Sequence, residues 1–127
     1  MNILAQPLLF LATLMVAGAY APPGGKPRGR HLEGKVGPGF TITLQENGQT
    51  VTSLRPGTYW LTVSDRDDAH NFHILGPGLD DVVTTVPFIG TVTHKIHLRH
   101  GTYTYRCDPH APIMFGTFTV SGVERGR

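Results

Sequence analysis

From Gly39 onward the chain alternates apolar and polar residues with a period of two, in runs too short to be anything but strands, and Gly, Pro, Asn or Asp separates them. The runs cover residues 40–44, 50–54, 58–64, 71–75, 82–86, 91–98, 102–107 and 117–120. Turn signals stand between them at Glu46-Asn47-Gly48, Arg55-Pro56-Gly57, Gly76-Pro77-Gly78 and His100-Gly101. Seven to eight short strands in about ninety residues predict an all-β Greek-key sandwich or small barrel. The alternation also sorts faces. Tyr59, Leu61 and Val63 share one side, and Tyr103, Tyr105 and Cys107 form an inward row while Thr102, Thr104 and Arg106 point away. His70, Phe72 and Ile74 likewise face the core, which leaves Asn71, His73 and Leu75 on the other face and predicts a solvated His73.

The N-terminal part reads differently. Residues 1–21 contain no Lys, Arg, Asp, Glu or His. Their apolar core has the length of a secretory h-region, shorter than the ~20 residues that span a bilayer, and Ala19-Tyr20-Ala21 offers a small-x-small cleavage site. A signal peptide at 1–21 is therefore expected, with export to the periplasm or the extracellular space; retention as a membrane anchor is the alternative, because no basic residue precedes the core. Residues 22–39 hold six Gly, four Pro and the basic residues Lys26, Arg28, Arg30 and Lys35, a composition that predicts a flexible linker carrying a solvated His31. The domain proper is then 40–127, large enough for one core and one site. A net charge of +2 spread along the chain lacks the basic stripe of a nucleic-acid footprint, so the expected partner is protein.

Cys107 is the only cysteine, so no intrachain disulfide can supplement the core. A lone thiol most often behaves as a small buried hydrophobe. Its neighbours point elsewhere: Cys107-Asp108-Pro109-His110-Ala111-Pro112-Ile113-Met114 places thiolate, imidazole and thioether within eight positions on a Pro-rich loop leaving an inward-facing strand end. Such a loop can curl all three around one ion, and soft sulfur donors with imidazole select copper; two His, one Cys and a weak axial Met is the donor set of blue-copper electron-transfer sites. The second imidazole must come from elsewhere, and His70 is the best candidate. Other chemistries fit less well. A Cys107–His110 nucleophilic pair has no apparent oxyanion site on this loop. Asp65, Asp67 and Asp68 lack the Gly and closing Glu of a calcium loop and read as a turn. His94, His97 and His100 alternate faces on a strand and cannot converge, although His94 falls on the apolar face of its run.

At these residues the chain resembles a known family. Asp68-Ala69-His70-Asn71-Phe72 is similar to the first-ligand motif of plastocyanin-like cupredoxins, and Cys107-Asp108-Pro109-His110 with Met114 is similar to their ligand loop. The likeness runs from about residue 40 to 120. It implies a Greek-key β-sandwich with a single type 1 copper ion near one end, in which His70, Cys107 and His110 are equatorial ligands and Met114 is axial. Asn71 would tie the two ligand segments together and hydrogen-bond the Cys107 sulfur. The implied function is the carriage of single electrons by Cu(I)/Cu(II) cycling, without catalysis, by a monomer to which redox proteins dock transiently near His110; membrane contact follows only if the leader is kept. A copper-binding or delivery protein with the same ligands is the alternative, and a cupredoxin-like interaction module a third. Two features depart from the family pattern: three residues separate His110 from Met114, where plastocyanin-like proteins often have four and amicyanin-like ones two, and Asp108 stands beside the thiolate where Ser or Thr is common.

Overall fold

Asn-Gly is a strong hairpin signal because both central residues of a type I′ turn need positive φ. The protein turns there, with φ of 50° at Asn47 and 76° at Gly48. The structure is a computed structural model that describes residues 29–124, so the leader at 1–21 and the first part of the expected linker lie outside the described residues. The strands are β1 (Arg30–Val36), β2 (Ile42–Glu46), β3 (Gln49–Thr50), β4 (Ser53–Leu54), β5 (Gly57–Asp65), β6 (Phe72–Gly76), β7 (Leu79–Thr84), β8 (Gly90–Leu98), β9 (Gly101–Arg106) and β10 (Phe115–Val120), with one 3-10 turn at Asp108–His110. They form two five-stranded sheets ordered β3-β2-β1-β5-β8 and β4-β10-β9-β6-β7.

The expected alternation holds in β5, where Tyr59, Leu61 and Val63 are buried, and in β9, where Tyr103 and Tyr105 lead to a buried Cys107. These side chains meet Phe72, Ile74 and Phe118 between the sheets. The aromatic rings pack in series: Phe72 lies parallel to Tyr105 with centroids 5.9 Å apart, and Tyr103 stacks on Phe118 at 5.3 Å. The buried phenols find partners, since the Tyr59 hydroxyl donates to the Arg55 carbonyl at 2.7 Å and that of Tyr103 accepts from the Arg99 N–H at 3.0 Å. All four turn signals fall at junctions between strands, each overlapping a strand end by one residue.

Two expectations require correction. Residues 30–36, read from composition as linker, are β1, which lies between β2 and β5 and pairs with both. Leu32 and Val36 are buried, and the inward position between them is Gly34, where an added Cβ would lie 2.9 Å from the Phe72 ring. The strand looked too poor in apolar residues because one of its core positions must be empty, and ladders on both sides satisfy its backbone groups regardless of composition. His31 is accordingly half-buried on this strand, and the domain begins by Arg30. The run 50–54 is likewise not one strand: Thr50 ends β3 in the first sheet, Ser53 opens β4 in the second, and buried Val51 marks the crossing.

The register defines one end of the sandwich. Val36 pairs with Ile42 and with Asp65, and Asp65 with Gly90, so the 37–41, 66–71 and 85–89 connections share an end. The 66–71 connection leads into β6, whose first residue opposes Thr84, and from β6 the ladder continues to Arg106, the last residue of β9. His70 and Cys107 both lie just outside strands at this end.

Candidate metal centre

The loop after β9 is shaped by its own backbone. The Cys107 N–H donates to the Met114 carbonyl at 3.0 Å, the His110 N–H to the Cys107 carbonyl at 3.1 Å, and the Met114 N–H to the His110 carbonyl at 2.9 Å. These bonds fold positions 107–114 into a closed arch whose two feet are β9 and β10. Cys107 is 0% exposed and Met114 1%, while His110 is half-exposed on the crown.

His70 is set from the other segment by Asp67. One carboxylate oxygen of Asp67 accepts the Ala69 N–H at 3.0 Å, and the other lies 3.5 Å from His70 Nε2, which leaves Nδ1 to face inward. The bond from Ala69 chiefly holds the Asp67 carboxyl below its ordinary range. Asp67 thus does more than form the turn expected of it, a role visible only once its distance to His70 is known.

Three donor atoms converge. The Nδ1 atoms of His70 and His110 are 3.1 Å apart, and Cys107 Sγ lies 3.6 Å from the first and 3.5 Å from the second. A point equidistant from all three lies ~2.0 Å from each, which matches metal–imidazole bonds of about 2.0–2.1 Å and falls a few tenths of an ångström inside the ~2.3 Å of a metal–thiolate bond. Such spacing fits a shared ion, and among the described residues this is the one such group of His, Cys or acidic side chains. Phe40, which sequence reasoning placed in a strand, instead lies in the 37–41 loop and covers both imidazoles, with centroids 5.1 Å from His110 and 5.7 Å from His70.

Asn71 ties the two segments together, but its side-chain bonds go to Asp108 and not to the Cys107 sulfur expected for it. Its Oδ1 accepts the Asp108 N–H at 2.7 Å and its Nδ2 donates to Asp108 Oδ2 at 2.9 Å, so the tie runs through Asp108. His73 is a correction: it is 9% exposed rather than solvated. A register shift at Phe72/His73 accompanies its placement between two carboxylates, with Nδ1 2.9 and 3.0 Å from the Asp108 oxygens and Nε2 against Asp80. Burial opposes protonation of His73, but the bonds to Asp80 and Asp108 outweigh it and raise its proton affinity. For Asp108 burial likewise works against the charge, yet bonds from His73, Asn71 and Arg106 lower its carboxyl to about 2. His94, His97 and His100 go to separate partners, Asp81, Thr58 and the Gly122 carbonyl.

The depressed Asp108 carboxyl makes a pH prediction. A group whose folded value lies below its ordinary 3.8 stabilises the fold above that pH, and the contribution is lost as pH falls from about 4 towards about 2. With the carboxylate 38% exposed, solvent screening reduces the effect to ~1 kcal/mol. Denaturant midpoints measured from pH 6 to pH 2 should fall more steeply for the native sequence than for Asp108→Asn.

Two facing β-sheets with a His–Cys–His group on the loops at one end define the class: the chain has the cupredoxin fold, and the group fits a type 1 copper site. Among solved structures the chain is similar to rusticyanin. A structure of rusticyanin described as a copper protein is 22% identical with a TM-score of 0.53, the likeness covering 72% of this chain and 76% of that one. Rusticyanin variants are 26% identical at 0.52 with the same coverage, and reduced rusticyanin is 26% identical at 0.51, covering 72% and 78%. No family model matches the chain, and no curated protein does.

Proposed function

We propose that this protein is a type 1 copper protein that carries single electrons between redox partners, in which His70, Cys107 and His110, with Met114 as a weaker sulfur donor, would hold the ion. The observation that carries the proposal is the donor triangle, held at metal-binding spacing by bonds that do not involve a metal. Copper supplies the redox chemistry, passing between Cu(I) and Cu(II). The chain supplies rigidity. The closed arch fixes Cys107 relative to Met114, Asp67 orients His70, and Asn71 locks the two segments through Asp108, so the donors need move little when the charge of the ion changes. The likeness to a copper protein that has also been solved in its reduced state supports the same reading.

His110 gives the electron its way out. It lies on the crown of the loop with exposed Phe40 against its ring, exposed Ile113 on the same loop and exposed Phe115 at the start of β10. A small apolar patch of this kind suits brief, weak docking of another redox protein, and we take that surface as the partner site. The role requires no substrate pocket and no catalysis, and a monomer suffices. On this reading residues 1–21 serve as an export leader and the site of action is the periplasm or the extracellular space.

Cu(II)-loaded protein should bleach on taking up one electron per chain and recover its full spectrum on reoxidation, over repeated cycles. A colourless adduct that gives up its copper to a chelator on reduction would instead favour a delivery protein built on the same donors.

A further inference from the structure

His73 is a buried histidine that the proposed electron path does not use. It stands three residues beyond His70 on β6 and opposite Arg106 of β9. Both its ring nitrogens meet carboxylates, Asp108 of the ligand loop on one side and Asp80 of β7 on the other. A neutral imidazole has one donor and one acceptor nitrogen, so it would turn a lone pair towards one of these carboxylates; a ring with both nitrogens protonated satisfies both. The charges facing His73 from the elements around it are Asp80, Asp108 and Arg106, and Arg106 Nε itself donates to Asp108 at 2.9 Å. Asp108 follows Cys107 directly. A bare carboxylate at that place would favour the more positive state of an ion on the thiolate, and a buried cation bonded to it offsets that preference.

On the copper reading above, we infer that His73 is a positioning residue: it fixes the Asp108 carboxylate beside Cys107 and, as a cation between Asp80 and Asp108, sets the reduction potential of the bound ion. The two partners act with opposite sign. Asp108→Asn removes the negative charge next to the thiolate and favours Cu(I); His73→Gln removes the compensating cation and favours Cu(II).

The test is potentiometry of the copper-loaded protein. His73→Gln should lower the potential and Asp108→Asn should raise it, each by about tenfold in the ratio of oxidised to reduced copper, or ~59 mV for a one-electron couple. The double variant should return towards the native value. Shifts of the same sign in both single variants, or no shift in either while the visible band is intact, would overturn the inference. Nitrogen-15 NMR of the metal-free native protein tests the charge without any substitution: both ring nitrogens of His73 should be protonated at neutral pH, and a neutral ring would overturn it. If native protein with Cu(II) shows neither colour nor redox cycling, the copper reading falls and the potential assignment with it, while the NMR result still decides the state of the clamp.

Discussion

Replacing Cys107 with Ser should abolish the intense visible absorption of the Cu(II)-loaded protein and leave its fold unchanged. The absorption expected of a type 1 site belongs to the bond between copper and a thiolate, and Cys107 is the single thiol in the chain. Its sulfur is one corner of the donor triangle and is fully buried, so no other sulfur of comparable donor strength can take its place. Serine is close in size, and the arch that carries position 107 is held by backbone bonds to His110 and Met114, not by the side chain. The optical spectrum should therefore change completely while circular dichroism stays the same. Colour that survives the substitution would refute the ligand assignment.

The second large effect is on stability. Phe72→Ala should destabilise the protein by about 3–5 kcal/mol, against a total of about 5–15 kcal/mol for a typical domain. Phe72 is fully buried, stacks on Tyr105 of the adjacent strand β9, and occupies the space that Gly34 leaves open in β1 of the facing sheet. It joins the two sheets at the point where the linker was expected. Its N–H also donates to the Thr84 hydroxyl oxygen at 2.9 Å, which anchors the start of β6 directly after His70 and Asn71. Loss of the ring should therefore weaken copper retention along with the fold. Denaturant unfolding of the metal-free protein provides the measurement, and a loss below ~1.5 kcal/mol would show that the sheets do not pack through this residue.

What the sequence reveals here depends on whether a feature is local. Strand alternation in β5 and β9 and the Asn47-Gly48, Pro56-Gly57 and Pro77-Gly78 turns are written in adjacent residues, and they are found where expected. The Cys107–Met114 arch is also local, since its donors lie on one short loop. His70 could be chosen because it shares a face with Phe72 and Ile74. The features that escaped depend on contacts distant in sequence. β1 was hidden because Gly34 is small to make room for Phe72, thirty-eight positions away. His73 looked solvated because the carboxylates that enclose it come from β7 and from the ligand loop. Phe40 gave no sign of covering the imidazoles, because an exposed aromatic residue before a strand has no periodic pattern to place it.

On the copper reading, two imidazoles and one thiolate of this chain hold a single copper ion. X-ray absorption at the copper edge of the protein loaded with one equivalent of Cu(II) tests it most directly. One short sulfur neighbour and two nitrogen neighbours are expected, the nitrogens at ~2.0 Å as the donor triangle requires. A first shell of nitrogen and oxygen alone, with no sulfur, would contradict it.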